Sequence, residues 1–196
     1  MITVSGIGPG DGNHLTGEVK KRILSAKNVI AFKRVAQDMI EFRDDIISIK
    51  SVDELLPLLE EDTAILASGD SLFFGIADYL MRKGVEVDEI HPGITSFQYL
   101  MAKLKMPWND ANIFSMHGRD GDLSTVRLFK KSIILTDSLY NPDYISKKLN
   151  EIGVKGKIYA GYDLSYNSEK IIEKKIGEDF DCDSKLAVVV IINEMV

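Results

Sequence analysis

A single cysteine, Cys182, and three histidines are all that 196 residues offer as soft metal ligands. One Cys cannot close an internal disulfide, and three scattered His without Cys partners give no four-ligand zinc spacing. The expectation is a cytoplasmic, disulfide-free protein with no metal of its own. Long apolar runs are also lacking: the longest, residues 186–193 (LAVVVIIN), has strand length, far below the roughly 20 residues of a membrane-spanning helix. In MITVSGIGPGDG no basic segment precedes the apolar residues, so this stretch is not expected to be a signal peptide. Positive charge is in deficit, with 24 Lys plus Arg against 30 Asp plus Glu and a formal net charge of −6. A general nucleic-acid binder must neutralise many phosphates, so that class is not expected. Sequence repeats and low-complexity segments are absent. What is present is an ordinary folded composition, 45% hydrophobic and 28% charged, long enough for one large domain or two small ones.

In the first half, short β-branched runs alternate with helical spacing. Residues 2–7, 28–32, 46–49, 64–67 and 85–90 read as strands, and 15–26, 52–59, 75–83 and 94–104 as helices. This alternation favours a mainly parallel sheet covered by helices. Past Pro107 and Trp108 the rhythm changes. Residues 113–116 and 132–136 read as strands around the polar HGRDGDLST, and 141–152 as a helix opened by Asn-Pro. Three further strands, 157–162, 170–176 and 186–192, follow with turns instead of crossover helices, which implies antiparallel pairing. The expected architecture is α/β in two domains, a parallel-rich one over 1–110 and a mixed-sheet one over 111–196.

The first strand runs into Gly6-Ile7-Gly8-Pro9-Gly10-Asp11-Gly12. A glycine-rich turn at this place lets backbone approach a ligand closely. A dinucleotide site does not fit: Asp11 stands where the third glycine of G-x-G-x-x-G belongs, and Pro9 removes an amide. The second strand ends in Phe32-Lys33-Arg34 without an acid for a ribose hydroxyl, and no G-x-x-x-x-G-K-[ST] exists. Two more strand ends carry similar chain, Ser68-Gly69-Asp70-Ser71-Leu72-Phe73-Phe74-Gly75 and His91-Pro92-Gly93-Ile94-Thr95-Ser96-Phe97. Beyond the carboxyl ends of parallel strands the three would converge on one rim. Their glycine backbone, small hydroxyls, two carboxylates and aromatics suit S-adenosylmethionine better than a nucleotide phosphate. Each motif alone has a plainer explanation: Asp11 and Asp70 as turn or capping residues, Thr95 and Ser96 as helix caps.

Strand-GIGPGD, SGDSLFFG, PGITSFQ and SMHGRD, in that order, resemble the tetrapyrrole methylase family. The run PGITSFQYLMAKLKMPWNDANIFSMHGR is similar to its branch that methylates C5 of a cobalt-precorrin. The resemblance implies a two-domain fold, usually homodimeric, with S-adenosylmethionine in a cleft between domains and the macrocycle in an adjoining trough. Carried over, the cofactor loops fall on Pro9, Gly69, Asp70, Ser71, Thr95 and Ser96, and in the second domain on Thr136, Asp137, Ala160 and Gly161. Asp11 resembles the acid at the mouth of the trough and is the catalytic candidate, assisting proton loss from the macrocycle. The sequence departs from the pattern at Ser71, where proline is usual, at Ala31-Phe32, and at Tyr162-Asp163.

A corrin precursor carries many carboxylates, so a confined positive patch is expected from Arg34, Lys103 and Arg119, with His117 beside it. The implied reaction belongs to cobalamin biosynthesis, with methylation of another tetrapyrrole carbon, or ligand binding without catalysis, as alternatives. Enzymes of this branch can be fused to a C15-methylating decarboxylase. A chain ending at Val196 is expected to hand its product to a separate enzyme of that kind.

Overall fold

The computed structural model describes residues 1–118, 120–181, 184 and 186–196. It divides into two compact units, Met1–Ser96 and Phe97–Val196. The first is built on five strands, β1 (Ile2–Gly6), β2 (Asn28–Phe32), β3 (Ile47–Ile49), β4 (Thr63–Ala67) and β5 (Glu89–His91), in the order β3-β2-β4-β1-β5. Every pairing is parallel, with Val4 opposite Ile65 and Ile90. Side chains alternate across the pleat, so both faces need cover. Val29, Ala31, Ala64 and Leu66 join Val19 and Ile23 of α1 (Gly17–Ser25) and Val35 of α2 (Lys33–Asp38) on one side. Val4, Ile30 and Ile65 join Ala77 and Leu80 of α3 (Ile76–Arg82) on the other.

Helix α1 starts where the Thr16 hydroxyl accepts from the Val19 amide and ends where Arg43 donates to the Ile23, Ala26 and Lys27 carbonyls. The helix expected over 52–59 is instead two 3₁₀ turns, Val52–Glu54 and Leu56–Leu58. Pro57 lies in the second turn and has no amide to continue an α-helical ladder.

The second unit has the strand order β6-β7-β10-β8-β9, with β6 (Asn112–Ser115), β7 (Lys131–Leu135), β8 (Gly156–Tyr162), β9 (Lys170–Lys175) and β10 (Ala187–Asn193). Only β6 and β7 pair in parallel; β10 runs antiparallel to β7 and β8, and β9 antiparallel to β8. Since β7 and β8 both oppose β10, they run the same way, so the carboxyl ends of β6, β7 and β8 share one edge. Helix α5 (Pro142–Glu151) opens on Asn141, whose side chain accepts from the Tyr144 amide, with Pro142 in the first turn. Ile145 and Leu149 of α5 pack with Ile134, Ile158, Val189 and Ile191 in the core.

The units divide at the first residue of α4 (Ser96–Leu104), between Ser96 and Phe97, whereas the sequence expectation placed the boundary near 110. The buried face of α4 explains the difference, because it belongs to the second unit. Phe97 meets Trp108 edge-on at 5.2 Å, Leu100 packs at Gly161, and Lys103 pairs with Glu169.

Candidate active site

In the first unit the loops after β1, β4 and β5 leave the same edge of the sheet, on adjacent strands. They are locked by backbone. Gly8 and Gly69 exchange hydrogen bonds, Gly69 N–H to Gly8 O at 2.8 Å and Gly8 N–H to Gly69 O at 3.2 Å. A Cβ on Gly6 would lie 2.4 Å from Gly69 O, and one on Gly93 would lie 2.2 Å from Gly69 O and 2.5 Å from Gly6 O. Gly69 itself has φ +66°, the left-handed region that favours glycine. The three loops thus meet along bare glycine backbone.

Asp70 holds the arrangement from the side. Its Oδ1 accepts from the Leu72 amide at 2.9 Å, and its Oδ2 accepts from the Gly93 amide at 3.1 Å, across 23 residues of chain. One Asp70 oxygen thus closes its own turn, and the other ties the β4 loop to the β5 loop. Asp11 is the N-cap of the short 3₁₀ turn Gly12–His14 and accepts from the Asn13 amide at 2.7 Å. Pro9, Ser71 and Thr95 are buried, and Ser96 is half-buried at the start of α4. Ser71 Oγ is enclosed without a hydrogen-bond partner, a buried hydroxyl left unsatisfied inside the loop.

Arg34 reaches the same rim from α2. Its guanidinium donates to Ser68 Oγ at 3.0 Å and lies 3.5 Å from Asp38 Oδ2. No Lys or Arg belongs to the three loops themselves. Close glycine backbone, small hydroxyls and no phosphate-binding cation within the loops form a donor set that fits a nucleoside sulfonium.

In the second unit the loops after β6, β7 and β8 share an edge. Thr136 donates through Oγ1 to the Ala187 carbonyl at 2.7 Å. Asp137 accepts three backbone amides, Gly118 at 2.9 Å, Leu139 at 2.8 Å and Tyr140 at 2.7 Å. The Gly118 and Tyr140 amides above all hold the Asp137 carboxyl below the ordinary carboxylate range, against the opposing effect of burial. His117 Nδ1 lies 2.9 Å from the Thr136 carbonyl. Gly161 is the strand position where Leu100 and Leu164 close in, and the Ala160 methyl is fully buried in the core.

Lys103 is engaged within its own unit. Its ammonium sits 3.3 Å from Glu169 Oε1 and 5.0 Å over the Tyr99 ring. Interaction with Tyr99, then with Glu169, raises the Lys103 pKa. Glu169 in turn accepts from the Ser165 amide at 2.8 Å. Arg119 lies outside the described residues. The expected patch of Arg34, Lys103 and Arg119 thus finds Arg34 at the rim of the first unit and Lys103 paired with an acid. Ser68 opens the SGDSLFFG motif but carries no assigned role there, and Glu169 lies outside every motif; the one legible hint for the cluster is that Tyr99 and Lys103 are four residues apart on a helix.

A family model for tetrapyrrole (corrin/porphyrin) methylases matches residues 1–178. The chain belongs to this family. As a tetrapyrrole methylase it is 31% identical over 192 residues to a probable cobalt-precorrin-7 C(5)-methyltransferase of Methanocaldococcus jannaschii, covering 91% of this chain and 90% of that one. It is 28% identical over 201 residues to the cobalt-precorrin-7 C(5)-methyltransferase of Salmonella typhimurium, covering 99% of this chain and all of that one (100%). Among solved structures, a precorrin-6Y methylase from Archaeoglobus fulgidus superposes with a TM-score of 0.77 at 20% identity, over 99% of this chain and 98% of that one. The uroporphyrin-III C-methyltransferase of Thermus thermophilus complexed with S-adenosylhomocysteine gives a TM-score of 0.79 at 20% identity, over 99% and 97%. These superpositions establish the methylase fold expected from the sequence, a parallel sheet followed by a mixed one.

Proposed function

We propose that this methylase transfers the methyl group of S-adenosylmethionine to C5 of cobalt-precorrin-7 in cobalamin biosynthesis. The observation that carries the substrate is the 31% identity, sustained over 91% of the chain, to a relative named for that reaction. The donor rests on the rim of the first unit and on the neighbour crystallised with S-adenosylhomocysteine.

S-adenosylmethionine, when bound, supplies an electrophilic methyl on a sulfonium. The chain's part is placement. The Gly6, Gly69 and Gly93 backbones, with Thr95, Ser96 and Pro9, form the floor that receives the nucleoside, and Asp70 fixes two of the three loops. On the second unit, Thr136, whose hydroxyl donates to the Ala187 carbonyl, Asp137, which accepts three amides, and Ala160 and Gly161 are the cofactor-contact candidates. Holding reacting atoms in line contributes roughly 7 kcal/mol or more in favourable cases, so rigid loops suit the task. Arg34 is the cation that meets a substrate carboxylate, with the Lys103 ammonium and Arg119 as further contacts. Asp11 stands at the mouth of the substrate trough. The working form is a cytoplasmic homodimer that passes its product to a separate C15-methylating decarboxylase.

The activity is tested by incubating the protein with cobalt-precorrin-7 and methyl-labelled S-adenosylmethionine and locating the label by NMR. Label at C5 is the expected result. Label at another macrocycle carbon moves the protein to a sister reaction, since fold alone does not set regiochemistry.

A further inference from the structure

One exposed side chain in the second unit is oriented by a hydrogen bond to the main chain. His117 is exposed, and such side chains ordinarily keep their rotamer freedom. Here the ring makes one hydrogen bond and the backbone that carries it makes two more. The His117 amide donates to Ser115 Oγ at 3.2 Å, the ring nitrogen Nδ1 lies 2.9 Å from the Thr136 carbonyl, and the next amide, Gly118, donates to Asp137. The partners are anchored in their turn, Thr136 to Ala187 on β10 and Asp137 to the Leu139 and Tyr140 amides.

A carbonyl oxygen only accepts, so Nδ1 carries the ring proton. The neutral imidazole then presents a lone pair at Nε2, and no described residue bonds that nitrogen. This fixed ring stands at the carboxyl edge of the parallel pair β6 and β7, the edge at which such sheets bind ligands. An oriented imidazole with an open lone pair is what a general base requires.

We propose that His117 Nε2 accepts the proton released by C-methylation, a role that rests on the methyl-transfer activity proposed above. The electron pair of the macrocycle carbon forms the new C–CH3 bond as the S–CH3 bond breaks, turning the sulfonium into a thioether. The carbon then bears both methyl and hydrogen. Its C–H bond breaks, the electron pair returns to the conjugated system, and the proton passes to Nε2. The Thr136 carbonyl keeps its hydrogen bond from Nδ1–H as the ring takes up the proton, and the Asp137 carboxylate lies on the adjoining loop after β7. On the same loop as His117, Asp120 is bound to the Tyr140 hydroxyl and Asp122 accepts from the Ser124 amide; with Asp137 these are the other titratable groups described there. The proton role expected of Asp11 passes to His117, and Asp11 keeps its place at the mouth of the trough.

The test compares three variants of the full-length protein in steady-state turnover of cobalt-precorrin-7, with rate followed against pH. His117→Asn keeps an amide hydrogen near the Nδ1 position for the Thr136 carbonyl and deletes Nε2; His117→Ala deletes both; Asp11→Asn probes the competing base. The expected result is a kcat roughly 100-fold or more lower in both His117 variants, an unchanged KM for S-adenosylmethionine, a wild-type melting temperature for His117→Asn, and saturable rescue of His117→Ala by added imidazole. A wild-type kcat and pH profile in His117→Asn overturns the proposal. So does loss of the acid limb in Asp11→Asn while His117→Asn retains it. Failure of the wild-type protein to methylate, while calorimetry shows it binding S-adenosylmethionine, overturns the underlying activity and this role together.

Discussion

Two glycines of the structure face crowded space of opposite kinds, and the difference is measurable. At Gly93 a methyl group would strike two backbone carbonyl oxygens, at 2.2 and 2.5 Å, and neither strand end can retreat. At Gly161 the nearest atoms are the δ-methyls of Leu164 and Leu100, at 2.8 and 2.9 Å, which swing aside on their own torsions. Gly93→Ala is expected to cost about 1–3 kcal/mol and to weaken S-adenosylmethionine binding. Gly161→Ala is expected to stay within about 1 kcal/mol of wild type, since the chain also loses less entropy on folding. Urea unfolding and calorimetry on both variants check this pair. A third residue-scale outcome concerns Asp70. Removing its carboxylate by Asp70→Ala leaves the Leu72 and Gly93 amides unsatisfied, at about 1–3 kcal/mol. It also unties the β4 and β5 loops, so affinity for the methyl donor falls in the same calorimetric experiment.

At the scale of elements, the loops after β6 and β7 depend on Asp137 for their shape. Its carboxyl is held below the ordinary range by amide hydrogen bonds, chiefly from Gly118 and Tyr140. A carboxyl depressed in the folded state contributes stability that is fully present above its unfolded pKa, near 3.9, and lost as pH falls through the lower folded value. Asp137→Asn should therefore be less stable than wild type at neutral pH, by about 1–3 kcal/mol. The difference should close as the pH drops below the carboxylate range. Urea midpoints measured at neutral and acid pH decide it; a pH-independent difference contradicts the assignment. The loop after β8 has a parallel device. Burial alone pushes the Glu169 carboxyl up, but hydrogen bonds from the Ser165 amide, Tyr99 and Lys103 outweigh it and hold the group low.

Such devices explain why the elements were more legible than their joints. The strands and the helices α1, α3, α4 and α5 follow from apolar period and caps, as with Thr16 before α1 and Asn141-Pro142 before α5. Helix α2 carries one buried side chain, Val35, and offers no period to detect. The 3₁₀ turn Leu123–Leu128 is set by the Asp122 cap inside a stretch that reads as polar loop. In the same way, the glycine loops announce themselves by composition, whereas the Tyr99–Lys103–Glu169 cluster joins a helix to a loop more than 60 residues away and leaves no local mark.

At the scale of the whole molecule, two units with different sheets each offer one edge where strand ends gather. The parallel-sheet rule made the first edge readable from sequence; the second depends on β7 and β8 both opposing β10, a pairing that only the fold reveals. Net charge also takes on a narrower meaning. With a formal −6 overall, attraction for a carboxylate-rich macrocycle must come from local cations, and of those proposed above Arg34 is the one at the rim of the first unit. Arg34→Ala is accordingly expected to raise KM for the corrin substrate several-fold and to reduce its salt dependence, with KM for the methyl donor unchanged. Analysis of the methylated product decides which reaction the protein performs. After turnover of cobalt-precorrin-7 with ¹³C-methyl S-adenosylmethionine, the account predicts a single new labelled methyl on C5 of the macrocycle. A label on any other carbon, or none transferred, contradicts it.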